Sequence, residues 1–394
     1  MQFDIHHALD HIRQFSESIG GRGSCTAQEQ RAADYSAEQL RNLGAQDVRI
    51  EAFQAIPSTY WPFAVAFATA LTGSLLALFL GWQGAFAIGA GLSALGAWAM
   101  FAETEFAAHW GRAFLPKANS QNVVARIPPS GPLHRRAVLC AHLDTHRTPI
   151  FYSSKTWHTI FSTLVALAFV SMLLGALGLG LAAALSWDWA RWLGLALALI
   201  QAFALGLCLH ADFTPYSPGA NDNASGVAVV LELARQLLTE PLAQTEIHLA
   251  LTGCEEVGAY GIAAYLDAHA DDLGEDTLYI ILDEVGLGTI KYLTSDGLIL
   301  KHKTHPFALE LARQTASVLP EITTREGAGI AYTDALVATI RGLPALTVCA
   351  LPSRDSAEAS HWHQMSDTIE HVDEKTLRDV YRFTWQILQT LDQN

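Results

Sequence analysis

The chain carries four long apolar runs, grouped in two close pairs. Elsewhere in the sequence, apolar residues alternate with polar ones at the spacings of strands and amphipathic helices. Three runs have no charged residue and the fourth has one, near its start; they cover residues 62–81, 84–101, 159–185 and 189–209. Each is close to the roughly 20 residues that a helix needs to cross the hydrocarbon layer of a membrane. Tryptophans stand at or near their ends, as in interfacial belts. The pattern predicts two transmembrane hairpins, at residues 59–101 and 157–210.

The rest of the chain alternates between short apolar segments and amphipathic segments of helical period. Strands are predicted at residues 48–53, 122–127, 137–141, 247–251, 277–282 and 345–349. Helices are predicted before the glycine-rich turn at 20–23 and at residues 27–43, 223–238, 259–270 and 373–391. This order indicates an α/β fold, a three-layer sandwich with a mostly parallel central sheet. Its domain would be assembled from residues 1–58, 102–156 and 211–394.

Charge and composition narrow the class of protein. The formal net charge of −15 argues against nucleic-acid binding, which needs a basic surface. The five cysteines show no paired spacing, so a disulfide framework is not expected. The first residues lack the pattern of a signal peptide. Basic residues flank the soluble side of the spans, whereas Arg191 alone lies at a hairpin tip, so we expect a multi-pass membrane protein whose catalytic domain faces the cytoplasm. The sequence gives no indication of oligomeric state.

Five polar motifs fall mostly at or just past predicted strand ends, where α/β sheets place their sites. They contain, in order, His142 with Asp144, Asp222 in a glycine-bounded loop, the pair Glu255 and Glu256, Asp283, and His363. Residues two apart on a strand share a face, so Asp144 can orient the ring of His142 while that ring binds a metal ion. Neighbouring glutamates diverge, so one can bind metal while the other acts as a general base.

Together, these motifs resemble the zinc aminopeptidase family M28, in which the same motifs occur in the same order. The resemblance covers nearly all of the chain outside the apolar runs. His363 is preferred over His361 and His371 because Asp367-Thr368 follows it at the family's spacing. The resemblance implies two divalent ions, zinc in that family, bridged by Asp222. It favours Glu256 with His363 on one ion and His142 with Asp283 on the other, a pairing that the sequence alone leaves open. Glu255 would be the general base.

Three further residues are candidate substrate contacts. Members of the family often have a tyrosine near the site, whereas here Trp362 adjoins His363, so Tyr332 or His361 is expected to supply the donor for the oxyanion. His146 follows His142 by four residues and is held as a substrate contact. The chain also departs from the family in the 79 residues, 143 to 221, that separate His142 from Asp222 and include the second hairpin.

These features predict a membrane-bound, two-zinc aminopeptidase that hydrolyses N-terminal peptide bonds. Its partners would be a lipid bilayer and a peptide or acylated amino-acid substrate, with hydrophobic or membrane-derived peptides as one class. Two alternatives on the same fold stay open, a glutaminyl-cyclase-like acyltransferase and an N-acyl-amino-acid amidohydrolase. A non-enzymatic membrane scaffold would be expected to have lost ligands or the base, and none is missing.

Overall fold

The computed structural model describes residues 3–352 and 360–394, and the chain divides into two compact units. The first, here called the sheet unit, consists of Met1–Pro57, Ala118–His146 and Tyr216–Asn394. The second, the helical unit, consists of Ser58–Lys117 and Arg147–Pro215. The helical unit is therefore longer than the two predicted hairpins, because it includes the segments that lead into and out of them.

The described residues form eleven α-helices and nine strands. The helices are α1 Ile5–Arg13, α2 Ala27–Leu43, α3 Tyr60–Leu80, α4 Gln83–Thr104, α5 Lys155–Leu185, α6 Ala190–Asp212, α7 Gly226–Thr239, α8 Tyr260–Leu273, α9 Pro306–Val318, α10 Asp334–Ile340 and α11 Glu374–Gln393. The strands are β1 Gln46–Ala55, β2 Ala118–Ile127, β3 Arg135–His142, β4 Thr245–Thr252, β5 Leu278–Leu282, β6 Thr289–Asp296, β7 His302–Lys303, β8 Thr324–Ala328 and β9 Ala345–Leu351.

The central sheet is mixed, so the prediction of a mostly parallel sheet is wrong. Its order is β1-β2-β4-β3-β5-β9-β6-β7, with β8 paired to β6. Strands β4, β3, β5 and β9 are mutually parallel. Antiparallel pairs flank them, β1 and β2 on one side and β6 with β9 and β7 on the other. Only the parallel pairs need a long crossover connection, and these are the pairs that the alternation of strands and helices could predict.

Helices cover both faces of the sheet. Leu139 of β3 belongs to the main apolar core, together with Ala33 of α2, Val227 of α7 and Leu377 of α11. The next residue, Cys140, points to the opposite face, where its thiol lies 3.4 Å from Asp334 at the start of α10. Because both faces are covered, the parallel strands are apolar throughout their length, as buried strands are.

The helical unit contains four helices, α3 to α6, that are long and apolar enough to span a membrane. Helices were predicted in these four runs, and that prediction is confirmed. Gly73 of α3 and Gly89 of α4 let the two backbones approach closely, since a Cβ atom on either would lie 2.7 Å from a carbonyl oxygen of the other. Inside the unit, the amide of buried Gln201 accepts a hydrogen bond from Ser74 at 2.8 Å.

Both insertions leave and re-enter the sheet unit at neighbouring points. Ala55, the last residue of β1, pairs with Ala118, the first residue of β2. The second insertion follows His146, whose carbonyl oxygen accepts a hydrogen bond from the backbone N–H of Ser217 at 2.9 Å. The sheet unit is therefore continuous at the points where the helical unit interrupts its chain.

Candidate metal centre

The predicted ligands meet at one edge of the sheet. Strands β3, β4 and β5 are parallel, so their carboxyl ends lie together. His142 ends β3, the glutamate pair follows β4 after two intervening residues, and Asp283 follows β5 directly. The loop at Ala220–Ser225, just before α7, adds Asp222, and His363 comes from the segment before α11.

The ligands form two groups that share Asp222. His142 Nε2 lies 3.2 Å from Asp222 Oδ1 and 3.5 Å from Asp283 Oδ1. His363 Nε2 lies 3.3 Å from Asp222 Oδ2 and 3.2 Å from Glu256 Oε2. Each oxygen of Asp222 therefore faces a different histidine, and each histidine has one further carboxylate of its own. The arrangement corresponds to the pairing that the family resemblance favours.

The donors fit tetrahedral zinc. In a site with bonds of about 2.0–2.1 Å, neighbouring ligand atoms are about 3.3–3.4 Å apart, and the four distances above run from 3.2 to 3.5 Å. Within the described residues, Glu256 Oε1 is buried without a hydrogen-bond partner. A buried carboxylate oxygen normally has a donor or a cation. Residues His142, Asp222, Glu256, Asp283 and His363 would hold the ions.

The electrostatics of the cluster also favour cations. Burial by itself would lower the pKa of His142, but hydrogen bonds with Asp144, Asp222 and Asp283 raise it well above its usual value. The pKa of His363 is raised to about 9, because Glu256 and Asp222 outweigh the effect of burial. The carboxylates that hold protons on these imidazoles would stabilise a divalent cation in their place.

Asp144 contacts both the imidazole of His142 and the glutamate pair. His142 Nδ1 lies 3.1 Å from the backbone oxygen of Asp144 and 3.7 Å from its carboxylate. The carboxylate accepts the backbone N–H groups of Glu255 at 3.0 Å and Glu256 at 3.1 Å, and the hydroxyl of Ser24 at 2.6 Å. Its shortest contacts are therefore those that position the turn with the two glutamates.

Glu255 lies within the same turn and is buried. Burial raises the pKa of its carboxyl well above the usual value; the charge of His142 opposes this effect, and the charge of Glu256 adds to it. Cys254, the residue before it, has a φ of 54°, in the left-handed region that few residues other than glycine adopt. The conformation directs the two glutamates away from the extended path of β4, and backbone outliers of this kind often occur at functional sites.

Two buried residues near the N-terminus support the site, and the sequence pattern predicted neither. Arg22 is fully buried, and its guanidinium donates to the carbonyls of Leu143 at 2.9 Å, Pro218 at 2.7 Å and Gly219 at 2.9 Å. Glu29 accepts the N–H of Cys254 at 2.9 Å. The only sequence signal for Arg22 was a basic residue inside a glycine-rich turn. For Glu29 we find no signal, since it occupies an ordinary position near the start of a helix.

Asp367 holds the loop that carries Asp222. Its Oδ1 accepts the backbone N–H of Asn221 at 2.7 Å, and its Oδ2 accepts that of Asp222 at 3.0 Å. Burial raises the pKa of Asp367 to about 7, although both hydrogen bonds act to lower it. The peptide bond between Asp222 and Asn223 is cis. Asp367, which belongs to the motif that identified His363, therefore supports the loop of another candidate ligand, Asp222.

The three candidate substrate contacts lie in different surroundings. The hydroxyl of Tyr332 donates to the carbonyl of Glu255 at 3.2 Å. The ring of His146 stacks on that of His363, with centroids 3.8 Å apart, and its nitrogen is close to the ligand atoms of Glu256 and His363. His361 stacks instead on His371 and pairs with the hydroxyl of Ser366 at 2.8 Å. Tyr332 and His146 therefore contact the site residues directly.

The sequence comparisons match the chain to peptidases. The family model of peptidase family M28 matches residues 202–388. The chain is 30% identical over 192 residues to the probable lipoprotein aminopeptidase LpqL of Mycobacterium tuberculosis, a match over 43% of this chain and 38% of that protein. It is 42% identical over 78 residues to aminopeptidase YwaD of Bacillus subtilis, a match over 20% and 17%. The chain thus matches well under half the length of these relatives.

Solved structures share the fold at low sequence identity. The zinc aminopeptidase BSAP from Bacillus subtilis superposes with a TM-score of 0.57 at 17% identity, over 98% of this chain and 95% of that one. A glutaminyl cyclase from Bacteroides thetaiotaomicron superposes with a TM-score of 0.54 at 16% identity, over 99% and 98%.

The mixed sheet gathers imidazoles and carboxylates at the ends of its central strands, and solved zinc aminopeptidases share this α/β fold. In sequence the chain resembles peptidase family M28 over residues 202–388, and it is similar to aminopeptidases over shorter segments.

Proposed function

We propose that the chain is a membrane-bound aminopeptidase that binds two zinc ions and hydrolyses N-terminal peptide bonds. The observation that carries the proposal is the position of Asp222, whose two oxygens each face a different histidine at 3.2 and 3.3 Å. A carboxylate placed in this way can bridge two ions about 3.5–4 Å apart. Each ion then has one histidine and one further carboxylate, His142 with Asp283 and His363 with Glu256.

The ions would lower the pKa of a water molecule and polarise the scissile carbonyl. Glu255 is the general base: its carboxylate takes the proton from the attacking water and then delivers it to the amine that leaves. Burial raises the pKa of this group, which strengthens its carboxylate as a base. Asp144 acts as a positioning residue, since it fixes the backbone of the turn that carries both glutamates.

Tyr332 is our candidate for the donor that stabilises the oxyanion. Its hydroxyl lies 3.2 Å from the backbone carbonyl oxygen of Glu255, so it is a hydrogen-bond donor beside the proposed general base. The alternative, His361, is engaged with Ser366 and His371. His146, stacked on His363, is the candidate contact for the substrate on the side of the Glu256 and His363 ion.

The catalytic assignment is tested with Glu255→Gln in the full chain, purified in detergent. We expect peptide hydrolysis to fall by at least about 10³-fold, because the amide cannot accept the proton. The zinc content should stay equal to that of the wild type, since Glu255 is not proposed as a ligand. Activity that survives the substitution would defeat the mechanism.

The substrates tested should include aminoacyl, peptidyl and acyl-amino-acid compounds. Hydrolysis of the acyl-amino-acid compounds would indicate an amidohydrolase.

The number of bound metal ions and the reaction product distinguish the glutaminyl-cyclase alternative from the proposed aminopeptidase. It requires one ion, whereas the proposed aminopeptidase requires two. Two zinc ions per active chain at the candidate metal centre, with release of an N-terminal residue, support the aminopeptidase. One tightly bound ion at this centre, with cyclisation of an N-terminal glutamine, would support the cyclase instead.

The membrane location rests on α3 to α6, which are 21, 22, 31 and 23 residues long with mean hydropathy between 1.6 and 2.4 in their most apolar windows. We propose that all four span the bilayer and that the sheet unit faces the cytoplasm. The chain should remain in the membrane pellet after alkaline carbonate washing. A protease added to the cytoplasmic side should cleave the sheet unit, and cleavage only from the opposite side would reverse the orientation.

Attachment to the membrane suggests hydrophobic peptides as the substrate class. Hydrolysis of apolar and polar peptides is compared in detergent and in reconstituted bilayers. Preference for the apolar peptides that strengthens in the bilayer would support this class. Equal rates on apolar and polar peptides, unaffected by the bilayer, would indicate that the helices serve only to anchor the protein in the membrane.

A further inference from the structure

A second cluster of metal-binding side chains lies in the sheet unit between α1 and α7. His7 and His11 are four residues apart on α1, so they lie on the same face of the helix. Glu232 of α7 faces them, with its Oε1 2.5 Å from His7 Nδ1. The rings of His7 and His11 are 4.4 Å apart between centroids. One ligand atom from each of the three residues lies within 4.8 Å of the other two.

The surroundings hold these side chains in an orientation suited to binding. His11 Nδ1 pairs with the hydroxyl of Tyr35 at 2.6 Å, which leaves Nε2 available as a ligand. A hydrogen bond at the second nitrogen is the usual way in which a metal-bound histidine is oriented. Arg235 Nε donates to both oxygens of Glu232, to Oε2 at 3.1 Å and to Oε1 at 3.3 Å, and His7 Nδ1 contacts Oε1 at 2.5 Å. The arginine therefore holds the carboxylate in place while one of its oxygens faces His7.

Burial and charge are consistent with a site that opens to solvent on one side only. The side chain of Glu232 is fully buried and that of His7 is 41% exposed, so an ion can enter past His7. Burial lowers the pKa of His11 to about 4, and the charge of His7 adds to this effect. The ring of His11 is therefore neutral at physiological pH, as a ligand must be.

We propose that His7, His11 and Glu232 bind one zinc-class divalent ion, separate from the candidate metal centre, that ties α1 to α7. Two imidazoles and one carboxylate are a common zinc ligand set, with a fourth position left for water. Entry of the ion requires the contact between His7 and Glu232 to open from 2.5 Å to about 3.3 Å, the spacing of neighbouring ligands around zinc.

The test compares zinc bound per chain in the full-length protein, equilibrated with Zn²⁺ at a defined free concentration. His7→Ala should bind one equivalent less than the wild type, and peptide hydrolysis should be unchanged. The matched control is His6→Ala, which removes the neighbouring exposed histidine and should retain the full zinc content. Tyr35→Phe should weaken the additional site by about 10-fold without abolishing it, because it removes only the orienting hydrogen bond.

Three outcomes would overturn the proposal. Equal zinc content in the wild type and in His7→Ala at saturating Zn²⁺ would show that no additional site exists. Zinc loss accompanied by loss of peptide hydrolysis would place the lost ion in the candidate metal centre. An equal loss in His6→Ala would show that the effect is not specific to the cluster. The difference in zinc content can be read even if the chain hydrolyses no peptide, so the test is independent of the proposed function.

Discussion

Two aspartates use the same contact to place metal ligands. Asp144 accepts the successive backbone N–H groups of Glu255 and Glu256, one on each oxygen. Asp367 does the same for Asn221 and Asp222. A carboxylate that accepts two adjacent N–H groups fixes both the position and the direction of the peptide between them, and charge-assisted bonds of this kind are stronger than neutral ones. Ligand geometry therefore depends on residues that need not touch an ion.

This dependence can be measured with Asp144→Asn. The amide keeps the shape of the side chain, but its NH₂ group would face one of the two backbone donors. We expect kcat to fall about 10–100-fold with a small change in KM, and zinc affinity to fall by a similar factor. Ser24→Ala removes only the hydroxyl that contacts the same carboxylate and should have a much smaller effect. Unchanged kcat and zinc affinity in Asp144→Asn would show that the turn keeps its geometry without this carboxylate.

Stability in mildly acidic solution should depend on His11. Burial, together with the charge of His7, holds its pKa near 4 in the folded protein, below the ordinary value of 6.5. The unfolded chain therefore binds a proton first as the pH falls, so the contribution to stability is present above pH 6.5 and is lost between 6.5 and 4. The full effect is about 3 kcal/mol.

The measurement compares unfolding of the wild type and His11→Gln from pH 7 to 4 in buffer without added zinc. The wild type should lose more stability than the variant across this window. Parallel pH dependence in the two proteins would mean that the folded protein holds His11 with an ordinary pKa.

At this scale the sequence indicated the polar residues that the structure brings together at the candidate metal centre, but not the residues that support them. Each of His142, Glu256 and Asp283 is a polar residue that ends or follows an apolar strand, a position where packing alone would favour an apolar side chain. Arg22 donates to backbone carbonyls, and Glu29 accepts a backbone N–H group, in segments that are far away in the sequence. A backbone partner leaves no mark in the sequence, so contacts of this kind could not be predicted.

At the scale of elements, predictions succeeded where a segment was long and strongly periodic. The predicted helix at 27–43 is α2, which ends at Gly44 with a φ of 89°, as a glycine C-cap does. The unpredicted elements are β6, β7, β8, α9 and α10. Strand β6 contains Lys291 and Asp296, its neighbour β8 has no fully buried residue, and α10 has only seven residues. In these segments the apolar residues do not recur at the spacing of a strand or a helix. Their conformation therefore depends on packing against neighbouring elements.

The start of α7 is packed too closely to accept a side chain. A Cβ atom at Gly226 would lie 2.4 Å from Asn223 Oδ1 and 2.5 Å from the carbonyl oxygen of Leu282. Asn223 and Leu282 adjoin the ligands Asp222 and Asp283, so this contact fixes the distance between two ligand-bearing segments. The glycine therefore sets the geometry of the site although it has no side chain to contribute.

Gly226→Ala should separate these two segments. We expect the free energy of unfolding to fall by about 1–3 kcal/mol, because overpacking displaces the backbone. Zinc affinity should fall with it, since Asp222 and Asp283 move apart. Gly206→Ala is the control, because a Cβ atom there meets nothing within 4 Å and alanine favours a helix. Thermal unfolding and zinc titration measure both effects, and wild-type values in Gly226→Ala would contradict the argument.

At the scale of the whole molecule, the sheet unit is complete without the inserted helices. The ends of the first insertion are paired residues of β1 and β2, and those of the second are joined by a backbone hydrogen bond. A longer loop adds little to the cost of closing it, about 0.6 kcal/mol for each doubling in length. Insertions at these two points therefore leave the sheet, its core and the ligand-bearing loops intact.

A variant that lacks both insertions should be soluble without detergent. An Asn-Gly turn would join Ala55 to Ala118, since such turns connect paired antiparallel strands. A short glycine-serine linker would join His146 to Tyr216, which packs against Gly21 and Gly23 and is therefore retained. We expect a folded protein that binds zinc with the wild-type stoichiometry, measured by circular dichroism, ultracentrifugation and metal analysis. Aggregation or loss of zinc would show that the sheet unit needs the helical unit in order to fold.

The order in which the chain is synthesised gives the second insertion a further consequence. His142 is made before α5 and α6, whereas the other four ligands are made after them, and His363 comes 221 residues after His142. At about 5–20 residues per second, translation needs roughly 10–40 s to cover that interval. With α3 to α6 as membrane spans, both hairpins have left the ribosome before the last candidate ligand, His363, is made. The complete set of five candidate ligands would therefore take up zinc only after the nascent protein has been delivered to the bilayer, from the pool on the side where the sheet unit folds.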